Sequence, residues 1–579
     1  MSIFGILLPL ALLYVLAAPA TLPDYDSGEF AIVAAKGGIV HPPGYPLLCL
    51  LLRFASLFQD YFNLIFLLSL VSVICTFAAA ILIYGILYEY TENHAASGLG
   101  VYGTFLSCAV WRTATSPEPF ALNLLLAAVC LHSLWKIVRS SGLPDENHKW
   151  FAVSGLAFGL GFCNHHSLAF LLPFAILVWT SRKTGKMRCL LWFSIGSLAG
   201  LIPLLYFFSD FAQGPYVWGN WADPFKRILT HLFRREYGTT SLLLNSHGMW
   251  YSGVILFLNT LPKHLSAVFF VFALAGILLS QRVAAEKKQS FPQNSLFHAG
   301  IGLSILFTGG IFIAMFRIGP SDWEKSIAER FFALPVMLLA FPISVFSLKF
   351  QEIWQKKNLQ ALLTVTVILF HGVWQWPCSE RATETFYETH IRNVLHTVEK
   401  NAVVVSATDS NYFGILYSQH VLGLRPDVAV FQVELWHSDW YPGQFLKTVG
   451  LPAHPSYENP AAILSRLMKE RPVYILDKQE EVNSLLRNAY PLGPLLRLTG
   501  ENESVPSPYE LYAINLKLFT DKMNMQEMDR KAYFNIWENG LIPYYQRTWK
   551  IMADTFAAYG DRKMEAVCRK YEFFFETSK

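Results

Sequence analysis

Charge is scarce in this chain. Of its 579 residues only 15% are Asp, Glu, Lys or Arg, against 53% that are hydrophobic, whereas soluble globular domains carry about 25% charged residues. Cysteine is also scarce, with eight in all and no CxxC or Cys/His spacing of the kind that holds zinc. A Rossmann-type glycine fingerprint is missing, which removes the usual signature of a bound nucleotide sugar. No inverted repeat of the transporter kind is visible either. What is present is apolar sequence: runs near the length of a bilayer crossing, about 20 residues, recur through the first two thirds. The chain reads as a polytopic membrane protein.

Eleven candidate spans follow: 3–20, 62–88, 95–112, 119–138, 149–165, 167–180, 189–208, 264–280, 296–316, 331–348 and 359–376. The first reads as a retained signal-anchor helix. Basic residues in the loops 181–188, 281–289 and 349–357 fall on one side if the N-terminus is cytoplasmic. The first outer loop and everything after 376 then lie outside. The expected division is a transmembrane domain, 1–376, whose outer loop 21–60 carries chemistry, and an extracytoplasmic domain, 377–579.

In that second part, NAVVVSATDSNYFGILYSQHVLGLRPDVAVF predicts strand, helix, glycine stop and strand, with Asp409 or Ser410 capping the helix and Gly423 ending it. RPVYILD (471–477) predicts a further strand, and the pattern after about 508 is helical. Cysteines 49, 75, 108, 130, 163 and 189 lie in or beside apolar runs as small core residues. Only Cys378 and Cys568 fall in the polar C-terminal part, and whether they pair with each other stays open.

The concentration of polar chemistry is in TLPDYDSGEFAIVAAKGGIVHPPGYP, residues 21–46. Asp26 and Glu29 share a helix face at i, i+3. Two readings stay open: Asp26 caps a short interfacial helix, or it is a general base facing a polar cavity. The prolines and glycine of HPPGYP fix a turn before LLCLLLRFASLF, a run too short to span. A rigid loop of this kind suits preorganised chemistry.

DSGEF followed by HPPGYPL resembles the signature loop of the transmembrane protein O-mannosyltransferases that modify plexin-type IPT domains, and of their bacterial relatives in the glycosyltransferase-C (GT-C) superfamily. SPEPFALN (116–123), NHH (164–166), FRREYG (233–238), ERFFALP (329–335) and TDSNYFGILYSQHVLGLRPDV (408–428) extend the resemblance to about residue 440. It implies a polytopic helical GT-C-like fold, to which the residue pattern after 377 adds a soluble α/β and helical C-terminal domain. It also implies an inverting transfer of a sugar, mannose first among candidates, from a polyprenyl-phosphate donor to Ser/Thr hydroxyls of extracytoplasmic proteins. Asp26 matches the aspartate of the family's DSGE pattern and is expected to be the base. Glu29 and His41 are expected to position groups or contact the donor, and Asp24 falls outside the core pattern.

Glu118 is either the N2 residue of a helix capped by Ser116 or a second site carboxylate. His165 and His166 either contact the donor or make interfacial hydrogen bonds at a hairpin turn. In DPFKRILTHLFRREYG, the periodicity predicts a helix with an apolar stripe, its polar side carrying Lys226, Arg227, His231, Arg234 and Arg235. That helix either lies on lipid headgroups or supplies cations, with Arg317 or Arg330, to the donor phosphate. Arg330 beside Glu329 allows a structural ion pair instead. No cofactor or nucleic acid is expected; a divalent ion at Asp26 and Glu29 stays open. The competing readings are a flippase or transporter for lipid-linked saccharides and a non-catalytic assembly factor.

Overall fold

Asn63 starts the first long helix. Its side chain accepts from Phe66 N at 3.1 Å, and 28 residues follow from Leu64 to Thr91 with no charge in the first turn. Pro119 does the same for Pro119–Arg139, occupying a position where a missing N–H costs nothing. The structure, a computed structural model, describes residues 3–140, 148–219, 223–237, 248–286, 291–353, 357–378, 385–452, 459–477, 479–500, 503–525 and 536–574. Parts of the basic loops 281–289 and 349–357 lie outside them.

Among the described residues, six helices are long and apolar enough to cross a membrane: Leu64–Thr91, Pro119–Arg139, Lys186–Phe208, Ser252–Ser280, Asn294–Phe312 and Asn358–Cys378. The pair Glu324–Leu338 and Ala340–Gln351, bent by 41°, makes a seventh if it is one span. Eleven were expected. The remaining four are shorter or interrupted: Ile3–Leu16, His148–Phe162, the apolar stretch His166–Ser181, and 95–112, which breaks into His94–Phe105 and Cys108–Thr115 where Ser107 caps a new helix. Pro46–Ser56 is an eleven-residue helix, too short to span, as its sequence predicts.

The chain forms two compact units. One comprises Met1–Ala20, Ile39–Ala212 and Pro224–Ala382; the other comprises Thr21–Gly38, Gln213–Asp223 and Thr383–Lys579. The acidic segment thus belongs to the same unit as residues 383–579.

Cys378 pairs with Cys108, not with Cys568, which is free and buried. Gln375 brings the two together: its Oε1 accepts from Cys108 N at 3.0 Å while its Nε2 donates to the carbonyls of Lys263 and His264.

In the second unit, Val403–Ser406 and Ala429–Gln432 are parallel strands joined through the helix Asp409–His420. Val473–Ile475 pairs parallel on the other side of Val403–Ser406, and an antiparallel hairpin, Ala489–Leu492 with Leu495–Leu498, completes five strands. All three parallel strands are buried along their length, as near-continuous apolar runs require. The helix is capped by Thr408, whose hydroxyl accepts from Asn411 N, rather than by Asp409 or Ser410.

Candidate active site

In the first unit, HPPGYP, SPEPFALN, NHH and ERFFALP meet. Tyr45 Oη lies 3.3 Å from His41 Nε2, and the Tyr45 ring stacks on His165 at 6.3 Å. His165 Nδ1 accepts from Ser167 N at 3.2 Å and lies 2.7 Å from Ser167 Oγ, which accepts from Asn123 Nδ2 at 3.1 Å. Phe120 and Phe331 close around the same imidazole at 5.4 and 5.5 Å. Asn164 donates to Pro119 O at 2.9 Å, which fixes the hairpin turn to the start of the next helix.

Glu118 is the N-cap residue of Pro119–Arg139, but its carboxylate makes no cap. It accepts instead from Arg330 Nη2 at 2.9 Å, with both side chains largely buried, and the guanidinium lies over the Phe120 ring at 5.3 Å. Arg330 thus makes an ion pair with Glu118, whereas the alternative left open for it was a pair with the neighbouring Glu329. A cavity beside it is lined by Asn123, Ser167, Thr308, Phe312, Arg330 and Phe331.

The basic helix runs from Pro224 to Leu232, and Arg234 and Arg235 lie past its end, with Arg234 in the left-handed region at φ 47°. Arg235 is exposed and Arg234 is half-buried. His231, expected on the polar face, is buried with its ring against Phe207 at 5.3 Å and Nδ1 3.0 Å from Arg227 O. Burial pushes it down to about 4, so it is neutral. Phe225, Leu229 and Phe233 are exposed, as a stripe turned to lipid would be.

In the second unit, the acidic helix is Ser27–Lys36. Asp26 takes the N-cap position with φ −88° and ψ 0° and makes no side-chain capping bond; Phe30 N bonds its carbonyl instead. Asp26 is half-buried, while Asp24 and Glu29 are buried. Tyr25, just before it, has φ 61°, a left-handed conformation that costs a non-glycine residue about 1–3 kcal/mol and clusters at functional sites. Burial first, then the charges of Asp24, Asp477 and Asp26, hold the Tyr387 phenol far above its ordinary value. Glu29 acts in the same way on Tyr412, behind burial and Tyr441.

Tyr45, Asn123, Ser167, Tyr387 and Asp477 were not singled out from sequence. The first two lie inside quoted motifs, so position within HPPGYP and SPEPFALN was the available signal. Among the described residues, no three His, Cys, Asp or Glu side chains converge as a metal ion would require.

The fold is GT-C-like. It matches ArnT from Cupriavidus metallidurans bound to undecaprenyl phosphate with a TM-score of 0.52 and 9% identity, over 87% of this chain and 99% of that one. The apo form of that protein matches with a TM-score of 0.50 and 8% identity, over 85% and 97%.

The resemblance carried by the motifs is borne out in sequence as well. The model of the Protein O-mannosyl-transferase TMEM260 N-terminal domain matches residues 26–188, and that of TMEM260-associated domain 2 matches 388–455. Protein O-mannosyl-transferase TMEM260 of Mus musculus is 24% identical over 453 residues, 74% of this chain. Its counterpart in Dictyostelium discoideum is 22% identical over 521 residues, 80% of this chain. The chain spans 62% of the length of each of these relatives.

Proposed function

We propose that this chain is an inverting glycosyltransferase that moves a sugar, mannose in the first instance, from a polyprenyl-phosphate donor to Ser/Thr hydroxyls of extracytoplasmic proteins. The observation that carries the reading is the state of Asp26. It occupies a capping position, is only half-buried, and does not spend its carboxylate on the cap. Two relatives named as protein O-mannosyl-transferases support the acceptor and sugar class, and a structural match bound to undecaprenyl phosphate supports the donor class.

In this reading Asp26 accepts the proton of the acceptor hydroxyl as its oxygen attacks the anomeric carbon. The bond from that carbon to the phosphate oxygen breaks, and the polyprenyl phosphate leaves. A hydroxyl is a poor nucleophile without such a base. Arg234, Arg235 and Arg330 supply positive charge for the departing phosphate, where charge-assisted hydrogen bonds are strongest. Glu29, His41, Glu118, His165 and His166 orient the donor and these groups. The membrane arrangement is eleven crossings with the N-terminus cytoplasmic and residues 377–579 outside. The Cys108–Cys378 disulfide supports an oxidising compartment for the side on which both lie.

The test is purified full-length protein in detergent with labelled polyprenyl-phosphate mannose. Release or transfer of mannose is expected. A donor that stays intact under all acceptor conditions, yet is moved across vesicles, would overturn the transferase in favour of the flippase.

A further inference from the structure

In open α/β sheets the crevice at the point where strand order reverses is the usual ligand site. Here that point lies between Val403–Ser406 and Val473–Ile475, because the chain leaves the first strand toward Ala429–Gln432 and returns on its other side. It is filled. Asp477, buried just past the third parallel strand, accepts from Ser406 Oγ at 2.8 Å, Ala407 N at 2.9 Å, Thr408 N at 3.3 Å and Asn411 Nδ2 at 3.2 Å. Tyr544, from the helix Ile536–Ala558, donates to the same carboxylate. The crevice is spent on fixing the first turn of Asp409–His420.

That helix is what the acidic helix packs on. Gly28 faces it so closely that a Cβ there would lie 2.8 Å from Phe413 O. Tyr387 donates to Ser410 O in its first turn. Ahead of the acidic helix, Leu22 N donates to Glu388 Oε2 at 3.1 Å, and Glu388 is held by Arg392 at 2.7 Å. On the other flank Tyr216 meets Phe413 edge-on at 5.5 Å, Gln444 donates to Val217 O at 3.1 Å, and Trp218 packs on Trp440 at 5.2 Å.

We propose that residues 383–579 are a positioning platform for the acidic motif: Glu388 and the Gly28–Phe413 contact set where Asp26 stands, so this C-terminal part determines turnover. The proposal rests on the reading of Asp26 as the base. Glu388 and Gly28 are positioning residues, since neither touches the reacting atoms. A misplacement of about 1 Å costs about 10²-fold in rate, and the methyl group of Gly28→Ala forces a shift of that order.

The experiment measures acceptor-free release of mannose from polyprenyl-phosphate mannose, donor affinity and melting temperature for the full chain in detergent. Gly28→Ala and Glu388→Ala should each lower turnover about tenfold to 10²-fold with donor affinity unchanged and the chain still melting cooperatively above the assay temperature. Glu388→Gln should restore most of it, because its amide oxygen still accepts from Leu22 N. Parental turnover in both disruptive variants overturns the platform, as does a parallel loss of donor affinity. Where Gly28→Ala fails to accumulate, Glu388→Ala against Glu388→Gln decides alone. Asp26→Asn, run alongside, separates the two ideas. A parental Asp26→Asn overturns the base assignment, and a parental Glu388→Ala beside an inactive Asp26→Asn overturns only the platform.

Discussion

Glu118 and Arg330, 212 residues apart in sequence, form an ion pair of 2.9 Å whose side chains are only 6% and 15% exposed. Removing one partner of such a pair leaves the other buried and uncompensated, at a cost of about 3–5 kcal/mol. Arg330→Ala is therefore expected to lower the melting temperature as well as donor affinity, and Glu118→Gln to do so less. A melting curve for Arg330→Ala that superposes on the parent would refute the buried-pair account and leave a purely donor-facing arginine.

For Asp26, the substitution that discriminates is Asn. Asparagine caps a helix about as well as aspartate, and the capping bond is not made in any case. Loss of a general base costs about 10²–10⁴ in rate, so transfer should fall by at least about 10² while donor binding survives. Near-parental transfer would move the role to Glu29 or Asp24.

The second unit should weaken in acid. His390 is buried, with Nδ1 3.0 Å from Tyr545 Oη, and burial outweighs the opposing pull of Asp477 to hold it at about 4 rather than 6.5. Its depressed pKa means that the unfolded chain binds the extra proton first. Stability is intact above 6.5 and is lost as pH falls toward 4, by as much as roughly 3 kcal/mol from this group. Melting of the full chain at pH 7 and pH 5, read by tryptophan fluorescence, should differ, and His390→Phe should shrink the difference. An identical pH response in that variant would clear His390 of the effect.

Thiol counting tests the cross-link. Denatured without reductant, the chain should take six maleimide labels, at the six free cysteines, and all eight only after reduction. Closing a long loop is worth roughly 2–4 kcal/mol, so Cys108→Ser should also melt earlier. Eight labels without reductant would rule the disulfide out in the protein as isolated.

Local pattern was the legible part of this molecule. VVV, the helix after it and VAVF stand where their periodicity put them, and the long apolar helices follow from composition. The motifs also fell together, HPPGYP with NHH and SPEPFALN with ERFFALP. What periodicity could not reach was pairing across distance. Cys108 looked like one more core cysteine because nothing local marks a partner 270 residues away. His231 sat on the polar face of its helix by count, and tertiary packing buried it. Asp477 ended a predicted strand, but its meaning depends on which strands become neighbours. Thr408 displaced Asp409 as cap because its backbone is extended and its hydroxyl reaches Asn411 N.

The packing of Gly28 against Phe413 spans 385 positions (413 − 28). At a synthesis rate of ~5–20 residues per second, Phe413 is made roughly 20–80 s after Gly28. Through that interval the acidic helix exists without the surface it rests on, while the membrane helices of the other unit are already being made. A nascent chain stalled before residue 413 carries every motif of the first loop and the Glu388 contact to Leu22 N, but not the Phe413 surface on which Gly28 rests.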